Sequence, residues 1–450
     1  MRSEKLTGKL RLWALVGKPA AALALAELTD VLVLLGIVRI MGAMGGSALY
    51  VRSLYQPVDL SMIAVTGAFA ISNQVSAAIS RGRKRPGDVF AAAGSLARVW
   101  LVSGALLCLA LSVAAPGLAD LAHVETLQRE DFISFLRWTL SAGLLGFGPA
   151  LTASCLRGYG HTRGAIIVTM SASLINIGGV AVLGLVARIG IAAIPIASAT
   201  ASVAGLAIGL IVLRRTELWH PASVRVWQAD VLRHLRRIGI PVAGSVLLVA
   251  VYNMAMLTTI SSFGPDAVAG FSVAAAAQNL LFLPGMMLGA ATAILINQQR
   301  GAGEHAQMGR TLRSGLELGT CAYVVVAVAV WLAGGSYAHL MNSEAGIAHQ
   351  TAAFLTTVGL TYAVQGPVLL SLTVMEHTEG GRLAVVLNVV YFALVVVIAR
   401  LATDQLGDVS AVYGTVAVCN LIGVVIPAIA VRHVRRLSRR TAVNAASVAV

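Results

Sequence analysis

Glu27 and Asp30 are the only acids in an apolar run from Pro19 to Gly42. A helix needs about 20 mostly apolar residues to cross a bilayer, so this run is long enough to span one. An acid at the centre of such a helix costs about 2.5–3.5 kcal/mol to insert, and it persists where it faces a water-filled cavity and binds a proton or ion. Three residues apart, Glu27 and Asp30 share one helical face, where each raises the proton affinity of the other. The chemistry this pair can do is reversible proton binding inside a membrane. Asp30, the deeper of the two, is the expected proton carrier, and Glu27 is expected to tune it or share the proton. The plainer reading, a structural pair satisfied by a polar group on a neighbouring helix, remains open beside it.

The elements that must position these acids are membrane helices. Of 450 residues, 58% are hydrophobic and 12% charged, and the mean hydropathy is +0.83. Apolar residues come in long runs rather than amphipathic stripes, the pattern of a helical membrane protein. A net charge of +14 would suit nucleic acid, but the basic residues sit in short connectors between apolar runs, where they act as topology determinants. No nucleic-acid partner is expected. Cys108, Cys155, Cys321 and Cys419 show no metal-ligand spacing and read as small buried hydrophobes. The basic first 18 residues followed by a long apolar run do not form a cleavable signal peptide.

Twelve spans are predicted, at 19–41, 57–80, 89–115, 131–155, 164–187, 190–213, 239–262, 272–297, 314–334, 351–375, 382–401 and 411–434. With the N-terminus placed in the cytoplasm, 26 Lys and Arg fall on the inner side and six on the outer side, with Arg98 inside the third span. This asymmetry follows the positive-inside rule and puts both termini in the cytoplasm. The implied location is a bacterial inner membrane. The chain also repeats: Pro19 and Gly42 are spaced like Pro241 and Gly264, and Asn73-Gln74 followed by Arg81-Gly82 is echoed by Asn297-Gln298 followed by Arg300-Gly301. Two six-span halves follow, 19–213 and 239–434, joined by a basic linker at 214–238 and flanked by tails at 1–18 and 435–450. A parallel repeat of this kind has its pseudo-two-fold axis along the membrane normal. At the same offset the second half carries Val249 and Tyr252 in place of the two acids, so ion coupling is expected to belong to the first half.

Cys155-Leu156-Arg157-Gly158-Tyr159-Gly160-His161-Thr162-Arg163 resembles the loop after the fourth span of the multidrug and toxic compound extrusion (MATE) family. Ser173-Leu174-Ile175-Asn176 resembles that family's fifth-span asparagine motif. Gly239-Ile240-Pro241 with Gly264, and Gln299-Arg300-Gly301-Ala302-Gly303, resemble the opening and a loop of its second half. Order, spacing and span count together carry the resemblance. It implies an all-α polytopic fold of twelve transmembrane helices in two pseudo-symmetric six-helix bundles, V-shaped, alternating between inward-open and outward-open states. It also implies export of cationic or amphiphilic organic compounds against a proton or sodium gradient. Asn176 carries over directly to the proton-site network. The family's first-span aspartate falls at Leu34 and its fifth-span acid at Val180, so Asp30 carries over only by sharing a face. The lack of a match to the sodium-type acids of the second half favours protons.

Tyr252, Asn253, Gln278, Asn279, Phe282, Met286, Met287, Tyr362 and Gln365 form a set of aromatic, amide and methionine residues in the second half. Such a mixture suits a pocket that accepts varied amphiphiles, and plain helix packing is the reading to set against it. Pro57, Pro284 and Pro367 are expected to kink their helices. No Walker loop or His-Glu-x-x-His occurs, and the connectors are too short for a catalytic domain, so an enzyme is not expected. No cofactor is called for beyond a proton gradient, with sodium as the alternative. The expected partners are a small organic substrate and membrane lipids, with the chain a monomer. A lipid or lipid-linked glycan flippase and a non-transporting scaffold or sensor are the rival readings. Arg98 as the only clearly intramembrane base argues against the flippase.

Overall fold

The structure, a computed structural model, describes residues 2–448. The side chains of 2–11, which include most of the expected N-terminal basic tail, and of 444–448 lie outside the described residues. Every regular element among the described residues is helical. In a bilayer this is the economical solution, because a helix satisfies its backbone N–H and C=O groups internally.

Two units divide the chain. Residues 25–243 hold the second half of α1 (Arg2–Met44), then α2 (Gly46–Gly82), α3 (Pro86–Leu121), α4 (Arg129–Tyr159), α5 (Thr162–Ala181), α6 (Ala193–Arg214) and the short α7 (Asp230–His234). Residues 244–450, together with 1–24, hold most of α8 (Ile240–Ile260), then α9 (Pro265–Gly301), α10 (His305–Met341), α11 (Ala345–Gly359), α12 (Tyr362–Met375), α13 (Gly381–Leu406), α14 (Val409–Ile422) and α15 (Val425–Val448). Among the described residues, eleven helices are long and apolar enough to cross a membrane. One of them, Tyr362–Leu406, runs through Thr378 (φ −121°, ψ 35°) and Glu379 (φ 64°, ψ 10°), which are not helical. It therefore joins two of the twelve predicted spans, and the tenth, predicted at 351–375, is itself broken between α11 and α12.

Each unit buries aromatic rings and leaves aliphatic side chains outside. In the first, Phe69, Trp100 and Phe147 pack with ring centroids 4.7–5.7 Å apart, and the Trp100 indole donates to the Leu144 carbonyl at 3.0 Å. Leu101, Val102, Leu106, Leu109 and Val113 on the other side of α3 are exposed, as lipid-facing residues must be. In the second, Phe271, Phe354 and Tyr413 meet edge to face. Arg98 does not enter a cavity. It reaches the carbonyls of Val224, Arg225 and Val226 at 3.2–3.4 Å and lies over the Trp227 ring. It fastens the 214–238 linker to the end of α3.

The repeat is visible in how each unit holds its second long helix. Asn73 of α2, fully buried, donates to Ser154 Oγ (2.8 Å) and the Leu151 carbonyl (3.3 Å) of α4. Asn297 of α9, also fully buried, donates to the His377 carbonyl at 2.9 Å. At the corners that follow, Gly160 and Glu379 both take left-handed backbone. Arg81 donates to the Tyr159 carbonyl beside the first corner, and Arg300 pairs with the Glu379 carboxylate at 2.7 Å at the second. A Cβ at Gly160 would fall on the Arg81 guanidinium, so that corner requires glycine for space as well as for φ.

Pro284 of α9 lies within its helix, as do Pro57 in α2 and Pro367 in α12. The Tyr323 phenol of α10 is inserted into the α9 backbone beside Pro284. It accepts from the Gly285 amide at 2.8 Å and donates to the Leu281 carbonyl at 2.7 Å. These are the two groups that an unbroken helix would pair directly, so the hydroxyl bridges the opened turn.

Candidate functional site

Asp30 and Glu27 lie on one side of α1 within the first unit. Asp30 is exposed and Glu27 half-buried. Ser173 of α5 donates its hydroxyl to Asp30 Oδ1, tying α1 to α5. Arg157, in the last turn of α4, is close enough to act electrostatically on both carboxylates. Asn176 sits one turn beyond Ser173 on α5 and shares its face. Its amide oxygen is buried without a hydrogen-bond partner. The first-unit candidates are thus gathered around α1, α4 and α5, with a free acceptor at their edge. Leu34, at the family's usual first-span acid position, is exposed on α1, and Val180 is fully buried on α5.

Ser173 and Arg157 escaped the sequence reading as site residues, although both lie inside quoted motifs. Their signal was helical spacing: Ser173 is one turn before Asn176, and Arg157 closes a helix beside a glycine turn. The arrangement offers two carboxylates, a hydroxyl that can donate or accept, and one balancing cation. Such a group binds a proton or a small monovalent cation. Among the described residues, no cluster of three or more His, Cys, Asp or Glu is placed to hold a metal ion.

The nine second-half candidates divide. Tyr252 stacks on Phe392 with centroids 4.6 Å apart, and Phe282 meets Tyr362 edge to face at 5.8 Å. Gln278 faces the Tyr362 phenol. Tyr362 and Gln365 are buried, and the Gln365 amide oxygen has no partner. Tyr391, which the sequence reading did not single out, donates to Asn420 Oδ1 at 2.5 Å, and Asn420 donates to Thr361 Oγ1 at 2.8 Å. Tyr252, Phe282, Tyr362 and Tyr391 therefore belong to one aromatic core. Asn279 and Met286 are exposed, while Asn253 and Met287 are half-buried. The set is part packing core and part accessible surface rather than one open wall.

The second unit also has an acid of its own that the offset comparison passed over. Glu376, at the end of α12, accepts from Ser245 Oγ of α8 at 2.6 Å, and Asn388 of α13 donates to the same Ser245 oxygen at 3.3 Å. It was missed because the repeat was compared on the seventh span, whereas this acid sits on the tenth.

The MatE family model matches residues 241–426. Nearly the whole chain also superposes on a point mutant of the Vibrio cholerae MATE transporter VcmN, with TM-score 0.89 and 18% identity over 96% of this chain and 99% of that one. The chain has the fold of the MATE transporters. The bent form of the same Vibrio transporter gives TM-score 0.90 at 17% identity, over 97% of this chain and 99% of that one. A superfamily transporter from Pyrococcus furiosus, described as having a binding pocket of reverse polarity that suggests a different function, gives TM-score 0.84 at 15% identity over 95% and 96%. In sequence, a probable multidrug resistance protein of Bacillus subtilis, YoeA, is 25% identical over 188 residues, or 39% of this chain. That match spans 40% of the relative's length. The chain is therefore an all-α, multi-pass membrane protein with the fold of that family's transporters.

Proposed function

We propose that this protein is a member of the MATE family that exports cationic or amphiphilic organic compounds, drugs or natural products, by antiport with protons. The observation that carries the reading is the Ser173–Asp30 hydrogen bond across α1 and α5, with Glu27 on the same face and Arg157 nearby. Protonation would neutralise Asp30 and add an O–H donor to its carboxyl, while the other oxygen can still accept from Ser173. One proton thus turns a charge-assisted bond between the two helices into a weaker neutral one, and the states before and after would differ in which side they open to. Substrate and proton then favour different states, and proton entry drives substrate out. Asn176 offers the free acceptor that a displaced hydroxyl or water would use. Tyr252, Asn253, Gln278, Asn279, Phe282, Met286, Met287, Tyr362 and Gln365 are proposed as substrate contacts, through their exposed and half-buried members in this state. The 26-to-6 distribution of bases supports cytoplasmic termini in an inner membrane.

The test is uptake of a fluorescent lipophilic cation into inside-out proteoliposomes carrying the purified protein, with either a pH or a sodium gradient imposed. One-for-one electroneutral exchange accumulates substrate about tenfold per pH unit, because each unit supplies about 1.4 kcal/mol per proton. Accumulation that follows the pH gradient is the expected result. Accumulation that follows only sodium replaces the coupling ion, and none in either gradient removes the reading.

A further inference from the structure

We infer that the outer face of α15 is a binding surface for the head groups of anionic phospholipids. Arg432, Arg435, Arg436, Arg439 and Arg440 are all exposed. Their spacing of three, one, three and one places them in a single stripe along the helix. None has a hydrogen bond or ion pair among the described residues. The opposite stripe of Ile426, Ala430, Val434 and Leu437 is buried. Ser438 donates to the His305 carbonyl at 2.8 Å, and Thr441 bonds the His305 ring at 3.0 Å. The helix is therefore pinned to the start of α10, and its basic stripe is held outward.

The depth of the stripe chooses the partner. Leu421, Ile422, Val424 and Val425 are exposed and apolar just before α15, which is a lipid-facing collar. Arg432 lies about 10 Å further along the helix and Arg440 about 22 Å, at 1.5 Å per residue. Arg432 falls in the last turn of the predicted span 411–434, where the hydrocarbon core gives way to the head groups, and the other four bases follow directly beyond it. Arg310 and Arg313, exposed in the first turns of α10, add two more bases, against the one exposed acid Glu304. A guanidinium binds phosphodiester oxygens in a fork, and each base near an anionic surface contributes about five-fold in affinity. The inference holds whichever compound is transported.

The experiment titrates phosphatidylglycerol, phosphatidylcholine or inorganic phosphate into the full-length protein in neutral detergent, with lipid retention read by native mass spectrometry. Three proteins are compared: wild type, R435Q/R436Q/R439Q/R440Q, and R83Q/K84Q/R85Q in the loop after α2. We expect wild type and the loop variant to retain phosphatidylglycerol at least tenfold more tightly than phosphatidylcholine, and the α15 variant to lose that preference. R436Q and R439Q singly should each weaken retention about five-fold, which keeps the test open if the fourfold variant fails to fold. The inference is overturned by an unchanged preference in the α15 variants, by an equal loss in the loop variant, or by inorganic phosphate competing at equal concentration.

Discussion

Asp30→Asn is expected to abolish gradient-driven uptake while leaving yield, helix content and gel-filtration profile unchanged. Asparagine keeps the shape of the side chain and an oxygen that can accept from Ser173, so the α1–α5 tie survives. What it removes is the exchangeable proton. A carrier that cannot release its proton cannot return a gradient's free energy to the substrate, so the loss should reach about 100-fold, or some 2.7 kcal/mol of coupling. Glu27→Gln should lower the rate only severalfold, because it keeps the carrier and loses its neighbour. Ser173→Ala should fall between the two. Full gradient-driven uptake by Asp30→Asn would dismiss Asp30 as carrier, and if Glu27→Gln were then inactive the role would pass to Glu27.

Tyr323→Phe is expected to cost more stability than any other removal of a single hydroxyl in the second unit. The phenol is inside a backbone turn opened at Pro284, and both its bonds are to main-chain groups. Its removal leaves the Gly285 amide and the Leu281 carbonyl facing a gap with no water to replace the oxygen. Each unsatisfied buried group costs about 1–3 kcal/mol, so a loss of about 2–4 kcal/mol should appear as a clear fall in Tm in detergent. Gly366 explains why the ring cannot drift away: a Cβ at that position would fall 2.0 Å from the ring carbon Cγ, so α12 lies flat on the tyrosine face. Unchanged thermal unfolding of Tyr323→Phe would mean that the α9 turn closes on itself and that the hydroxyl is incidental.

How much was legible beforehand differs by kind of feature. The spans could be read because a crossing helix must be apolar for its full length, whereas Pro57, Pro284 and Pro367 lie inside continuous helices. The break between α11 and α12 could not, because Gly359-Leu360-Thr361 is as apolar as its surroundings and its turn is set by packing. Asp30 and Glu27 were visible as acids in an apolar run, yet Ser173 was not visible as the partner of Asp30, being 143 residues away. Arg157 looked like one more base in a connector, and only the fold brings it to the acids. Arg98 looked like an intramembrane charge because it falls within an apolar run, and its carbonyl partners lie in the linker more than 120 residues away. Glu376 was hidden by an offset that compared like spans, because it sits at the end of a different helix, α12.

The two corners that close the fourth and tenth crossings differ in how freely they can change over evolutionary time. Glycine at 160 meets its constraint alone, whereas Glu379 holds a left-handed conformation that costs about 1–2 kcal/mol against its ion pair with Arg300. Neither member of that pair can be replaced singly without loss, yet both can change together. Arg300→Met should be partly rescued by Glu379→Gly, which removes the backbone strain together with the carboxylate that has lost Arg300, and the recovered expression of the double variant would measure it. The second unit therefore has a compensatory path of two substitutions at a place where the first unit has none.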